Sequence, residues 1–174
     1  MSAPLTEPPQ PAARPGYAGP RLAAAAEALA LAGGILMLVV ACLVTLSVLM
    51  RWLAGDGIAG DFELVQIATG VGAFAFLPLC QARRGNVIVD TFTTRLPQRA
   101  RDGLDAVWDL TYAVLMAVIG WRLVIGAQDA FASHTTSMVL GIPQGYAVAA
   151  CAVMGVFVAI VAAATALRFL KARA

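Results

Sequence analysis

Charged residues are scarce in this chain of 174 residues. Only 13% are Asp, Glu, Lys or Arg, whereas 60% are hydrophobic, and the mean hydropathy is +0.81. Soluble domains are typically about a quarter charged and about half apolar. This composition excludes an ordinary soluble domain and places the chain among membrane proteins. Its formal net charge of +2 gives no support for a nucleic-acid partner.

Residues suited to metal, redox or nucleophilic chemistry are also few. The three cysteines, Cys42, Cys80 and Cys151, lie far apart and form no CxxC or Cys/His pairing. The single histidine, His134, excludes a bis-histidine haem within the chain and makes an anchor subunit of a respiratory enzyme a weak hypothesis. We therefore predict no catalytic residues, no metal site and no cofactor, and we interpret the chain as a non-enzyme.

Long apolar runs are what the chain has in abundance. A membrane span needs about 20 apolar residues to cross about 30 Å of hydrocarbon. Four runs meet this length, at about 29–49, 62–79, 107–125 and 146–167. The predicted fold is all-α, with four transmembrane helices in a membrane domain over 22–170, after a proline-rich, disordered tail over 1–21. Asp61 is the predicted N-cap of the second span, and Pro143 suits the entry to the fourth.

Basic residues are segregated along the chain. Ten of the twelve Lys and Arg residues lie in the N-terminal flank, the loop over 80–106 or the C-terminal end. The positive-inside rule therefore predicts that both termini and this loop face the cytoplasm and that the loops at about 50–61 and 126–145 lie outside. The predicted topology and interface anchors are Arg51, Arg95, Arg99, Arg101, Trp108, Trp121, Arg122, Arg168 and Lys171.

The central loop over 80–106 has an amphipathic segment. Its apolar residues fall on one face at helical spacing, and its polar residues fall on the other, which predicts a short interfacial helix between spans two and three. The apolar face consists of Ile88, Val89, Phe92 and Leu96, and Pro97 ends the segment. Alternatively, the arginines of this loop only fix topology and contact anionic membrane lipid.

Ionisable residues are missing from the middle of the spans. Glu27, Glu63, Asp105 and Asp109 all fall near predicted span ends, where they can stay hydrated. A self-sufficient ion-coupled carrier would need such a group, or a broken helix, near the midplane. This argues for a subunit of a larger assembly. The alternative is a small four-span exporter that acts as a homodimer, for which Glu27 is the only nearby acid.

Four segments in order resemble the DctQ-like family, the small membrane subunit of tripartite ATP-independent periplasmic (TRAP) transporters. They are Arg51 after span one, "DFELVQ" with Glu63, "PLCQARRGNVIVDTFTTRLP", and "SMVLGIPQGY" before span four. The resemblance covers about residues 30–167. Asn86 departs from it, because the family usually has histidine there. Asparagine cannot become cationic, so this position cannot supply the titrating imidazole that a histidine would.

The resemblance implies a protein of the bacterial inner membrane that pairs with a large multi-span permease subunit and a periplasmic solute-binding protein. The large subunit would carry the substrate and sodium sites, and the small subunit would be a scaffold. Substrates of such systems are usually organic anions. The candidate partner-interface residues are Glu63, Arg83, Arg84, Asn86, Asp90 and Pro143.

Overall fold

The computed structural model describes residues 19–83 and 98–171. Its four helices are α1 (Pro20–Ala54), α2 (Asp61–Ala82), α3 (Gln98–Ala132) and α4 (Gln144–Lys171). Each contains a segment that is long and apolar enough to cross a membrane. The prediction of an all-α protein with four transmembrane helices is therefore confirmed. The predicted interfacial helix at 88–96 lies outside the described residues, so it stays a prediction.

The helices extend beyond the apolar runs from which the spans were predicted. α1 begins at Pro20, in a first-turn position where the missing proline N–H costs nothing, and continues through an alanine-rich segment of high helix propensity. It ends at Gly55, whose φ of 80° is left-handed and whose N–H donates to the Arg51 carbonyl at 3.1 Å. α3 begins at Gln98, nine residues before its apolar segment at Val107.

The helices pack in the order α1, α2, α4, α3, because the extensive contacts join α1 to α2, α2 to α4 and α4 to α3. α2 and α4 are therefore central, and α1 and α3 flank them. In the most apolar segment of α4, 39% of residues are buried, against 11% in that of α1. Much of each helix surface thus remains available to lipid or to a partner.

Small residues lie where α1 crosses α2 and where α3 crosses α4. A Cβ atom on Gly33 of α1 would lie 2.7 Å from the Cβ of Ala75 in α2. A Cβ atom on Gly120 of α3 would lie 3.0 Å from Cγ2 of Val156 in α4. Such close backbone approach is typical of membrane helices, where apolar burial gives little driving force and packing dominates.

Candidate functional site

Several polar side chains contact one another at the end of the helix row that carries the α1–α2 loop and the α3–α4 loop, here the loop end. Ser47 of α1 is fully buried there. Its Oγ donates to Oδ2 of Asp61 at 2.7 Å and accepts the Ile58 N–H at 3.1 Å. The Nη2 atom of Arg51 lies 3.7 Å from the same Asp61 oxygen. One serine thus connects α1 to the loop and to the first residue of α2.

The prediction that Asp61 is an N-cap is wrong. Gly60, with a φ of 80°, occupies the cap position, and Asp61 is the first residue of α2. Its Oδ2 atom instead accepts the Ser47 hydroxyl, and its Oδ1 atom accepts the Phe62 N–H at 2.7 Å. The Asp61 carboxylate therefore bonds to the Ser47 hydroxyl of α1, which lies fourteen residues earlier in the sequence, instead of capping α2.

Ser47→Ala is expected to destabilise the chain by about 1–3 kcal/mol, because the half-buried Ile58 N–H and Asp61 carboxylate lose the fully buried hydroxyl that joins them. Thr45→Ala is the matched control. The Thr45 hydroxyl is exposed and donates only to the Ala41 carbonyl of its own helix, at 2.8 Å. Thermal unfolding of both variants in detergent micelles checks the prediction, and equal melting temperatures would contradict it.

The α3–α4 loop is a tight hairpin over 133–143. The Ser137 N–H donates to the Ile142 carbonyl at 2.9 Å, and the Ile142 N–H returns to the Ser137 Oγ at 3.1 Å. The Gln144 N–H donates to the Thr135 carbonyl at 3.0 Å. Gly141, with a φ of 65°, allows the chain to reverse. Pro143 lies directly before α4, as the sequence predicts.

Glu63 joins this hairpin to α2. Its Oε1 atom accepts the Val139 N–H at 2.8 Å, and its Oε2 atom accepts the Leu140 N–H at 3.0 Å. The Leu140 side chain lies against Gly60, where there is no room for a Cβ atom. A single carboxylate therefore satisfies two consecutive backbone donors. It attaches the loop between α3 and α4 to the N-terminus of α2.

The hairpin tip is apolar and exposed. Met138 is fully exposed, and Val139 is 61% exposed. Met138 also lines a groove between α2 and α4, together with Gln66, Gly70 and Cys151, among others. Because the Glu63 carboxylate holds the backbone at the tip, this apolar surface is preorganised.

At the opposite end of the row, Arg83 and Gln81, which are among the described residues, each contact another helix. Arg83 donates from Nη2 to Oε1 of Glu27 at 3.0 Å, and both side chains are more than half exposed. The Gln81 Nε2 atom donates to Oδ1 of Asp109 at 3.1 Å. An exposed ion pair of this kind contributes at most about 1 kcal/mol. Glu27, the acid that a four-span exporter would use, thus lies about two turns inside α1, beside the cation at the C-terminal end of α2.

The remaining predicted residues are spread along the chain. Trp108, Trp121 and Arg122 are exposed on α3, and their role as interface anchors stays a prediction. Arg84, Asn86, Asp90 and Arg95 lie outside the described residues. Arg99, Arg101, Arg168 and Lys171 belong to helices, but the structure does not describe their side chains. Within the described ranges, no three His, Cys, Asp or Glu side chains come together as a metal site.

Four apolar helices of membrane-spanning length, with their polar contacts at the two ends, define a multi-pass α-helical membrane protein. Residues 40–172 match the family model described as "Tripartite ATP-independent periplasmic transporters, DctQ component". The chain therefore belongs to the DctQ family, the small component of TRAP transporters. Membership implies a large permease and a binding protein as partners. No curated protein and no solved structure matches the chain.

Proposed function

We propose that this chain is a scaffold that supports the large permease subunit during sodium-driven, binding-protein-dependent uptake of an organic anion. One observation carries this proposal: the helices leave long surfaces uncovered, while the middle of each span has no ionisable residue. Only 11% of the apolar segment of α1 is buried, and the row leaves long helix faces uncovered. Such faces serve to contact lipid and neighbouring helices.

The span interiors support the same proposal. Between 30 and 50, 64 and 82, 110 and 121, and 145 and 167, the sequence has no Asp, Glu, Lys, Arg or His. A protein that moves ions or anions by itself needs ionisable groups or broken helices near the membrane midplane. Charged pairs such as Glu27–Arg83 lie near the helix ends instead. Solute and sodium binding would therefore belong to the partner subunit.

The proposed setting is the bacterial inner membrane, with both termini and the 80–106 loop in the cytoplasm. The loop end would then face the periplasm, where the binding protein delivers solute. Arg84, Asn86 and Asp90 lie in the cytoplasmic loop under this proposal, and we infer that this loop contacts the large permease. The five arginines at 83–101 favour a cytoplasmic position for this loop by the positive-inside rule.

The test is solute uptake in proteoliposomes that contain the large permease and its binding protein, with or without this chain. We expect sodium-driven uptake only with the chain, because the large subunit needs its support. A control without a sodium gradient separates transport from binding. Normal uptake without the chain would contradict the proposal, and transport by the chain alone would favour the homodimeric exporter.

A further inference from the structure

α2 has an exposed face that neither of its neighbours covers. α1 packs on one side of this helix and α4 on another. Phe76 lies at the edge of this face, with its Cε1 atom 3.7 Å from the Cβ position of Gly33 in α1. The residues left exposed are Phe62, Gln66, Thr69, Gly70, Ala73 and Phe76, here the α2 outer face. Apart from Gly70, their spacing alternates between four and three residues. This is the 3.5-residue period with which one helix packs along another.

The α2 outer face carries polar groups without partners. Within the residues that the structure describes, neither the Gln66 amide nor the Thr69 hydroxyl makes a hydrogen bond. Thr45, Thr111 and Thr165, by contrast, each donate to a carbonyl of their own helix at 2.8 Å. Gln66 and Thr69 lie about 7.5 Å and about 12 Å along α2 from its first residue, so Thr69 lies well inside the apolar run that is long enough to cross a membrane.

Lipid is a poor cover for this face. Acyl chains offer no hydrogen-bonding groups, so the Gln66 amide would stay unsatisfied among them, and the Thr69 hydroxyl could donate only to a carbonyl of its own helix. The outward surfaces of the flanking helices are different. On α1, Leu31, Leu38 and Val39 are exposed, and α3 is similarly aliphatic. These surfaces suit lipid, whereas the α2 outer face suits a hydrogen-bonding partner.

The shape of the region fits a helix. No atom lies within 4 Å of where a Cβ of Gly70 would stand, so a neighbouring backbone can approach closely there. Beside it, the groove between α2 and α4 has a volume of about 480 Å³ and is lined by Gln66, Gly70, Met138, Ala147 and Cys151, among others. Large side chains of an incoming helix can enter this groove.

We propose that the α2 outer face binds a transmembrane helix of the large permease subunit. The bound helix presents small residues opposite Gly70 and a hydrogen-bonding group to Gln66 and Thr69. The exposed Met138 at the hairpin tip covers the end of the same contact. This inference rests on the proposed function, because it requires the large permease as the partner.

Co-purification of the large permease with the affinity-tagged chain, after co-expression, tests this contact. We expect Gly70→Leu, and the double variant Gln66→Leu with Thr69→Leu, each to lower the amount of co-purified permease by about tenfold. Gln128→Leu is the matched control for glutamine, since Gln128 is exposed near the same end of α3. Gly34→Leu is the matched control for glycine, since its Cβ position is also open.

Photo-cross-linking is a second measurement, which tests the contact even if the leucine variants fail to fold. A photoreactive phenylalanine analogue in place of Ala73 is expected to cross-link the large permease. The same analogue in place of Val118, which is exposed on the aliphatic surface of α3, is not. Unlike the leucine variants, this analogue reports contact in the assembled complex.

The outcomes separate this inference from the proposed function. If the wild-type chain does not co-purify with the permease, the result contradicts both the α2 contact and the proposed scaffold function. If the wild-type chain and the α2 variants retain it equally, and position 73 does not cross-link it, only the α2 contact is overturned. Native mass spectrometry that finds a phospholipid displaced by Gly70→Leu, with the permease retained, would assign the face to lipid instead.

Discussion

Glu63→Ala is expected to release the α3–α4 hairpin from α2. The substitution removes both acceptors of the Val139 and Leu140 N–H groups, which are held at 2.8 and 3.0 Å. These amides would then open locally without unfolding of the helices. We expect hydrogen–deuterium exchange at residues 139 and 140 to accelerate by about tenfold or more, since a charged acceptor makes stronger hydrogen bonds than a neutral one.

Two variants control for charge and for acceptor number. Glu63→Gln keeps one carbonyl oxygen, so it should leave one of the two amides protected. Asp56→Asn removes a carboxylate from the exposed α1–α2 loop of the same end and should leave the exchange unchanged. Unchanged exchange in Glu63→Ala would mean that the hairpin is held by its own Ser137–Ile142 bonds and by the contact of Leu140 with Gly60.

The fold could be predicted from the sequence because the bilayer imposes a length. A run such as 29–49 has to be helical in lipid, where every backbone polar group needs an internal partner. The helix ends could not be predicted in the same way. In the N-terminal parts of α1 and α3, which precede the predicted spans, the hydropathy of the sequence is low but its helix propensity is still high. Pro20 and Gln98 therefore begin helices well before the hydrocarbon.

The loop end was only partly predictable. Glu63 could be identified as important from the "DFELVQ" resemblance and from its place in the first turn of α2. Its partners could not, because Val139 and Leu140 lie 76 and 77 residues away and donate through the backbone, which carries no sequence signal. Ser47 gave no signal either. A serine inside an apolar run reads as helix packing until the loop that covers it is known.

The glycines could be predicted to mark helix crossings, but the sequence did not tell Gly33 from Gly34. The structure separates them, because only Gly33 faces α2, with Ala75 at 2.7 Å from its Cβ position. Gly33→Ala is therefore expected to push α1 away from α2 and to cost about 1–3 kcal/mol of stability through overpacking. Neither atom in the clash is the end of a flexible side chain, so the helices themselves must move.

Gly34→Ala, at the neighbouring position of α1, is expected to leave the stability unchanged or to raise it. Nothing lies within 4 Å of its Cβ position, so the added methyl group meets no neighbour, and the better helix propensity of alanine contributes up to about 1 kcal/mol. Thermal unfolding in micelles should show Gly33→Ala melting below the wild-type chain and Gly34→Ala at or above it. Since both variants add one methyl group to α1, an equal loss in both would indicate that glycine flexibility, rather than close packing on α2, is what α1 requires.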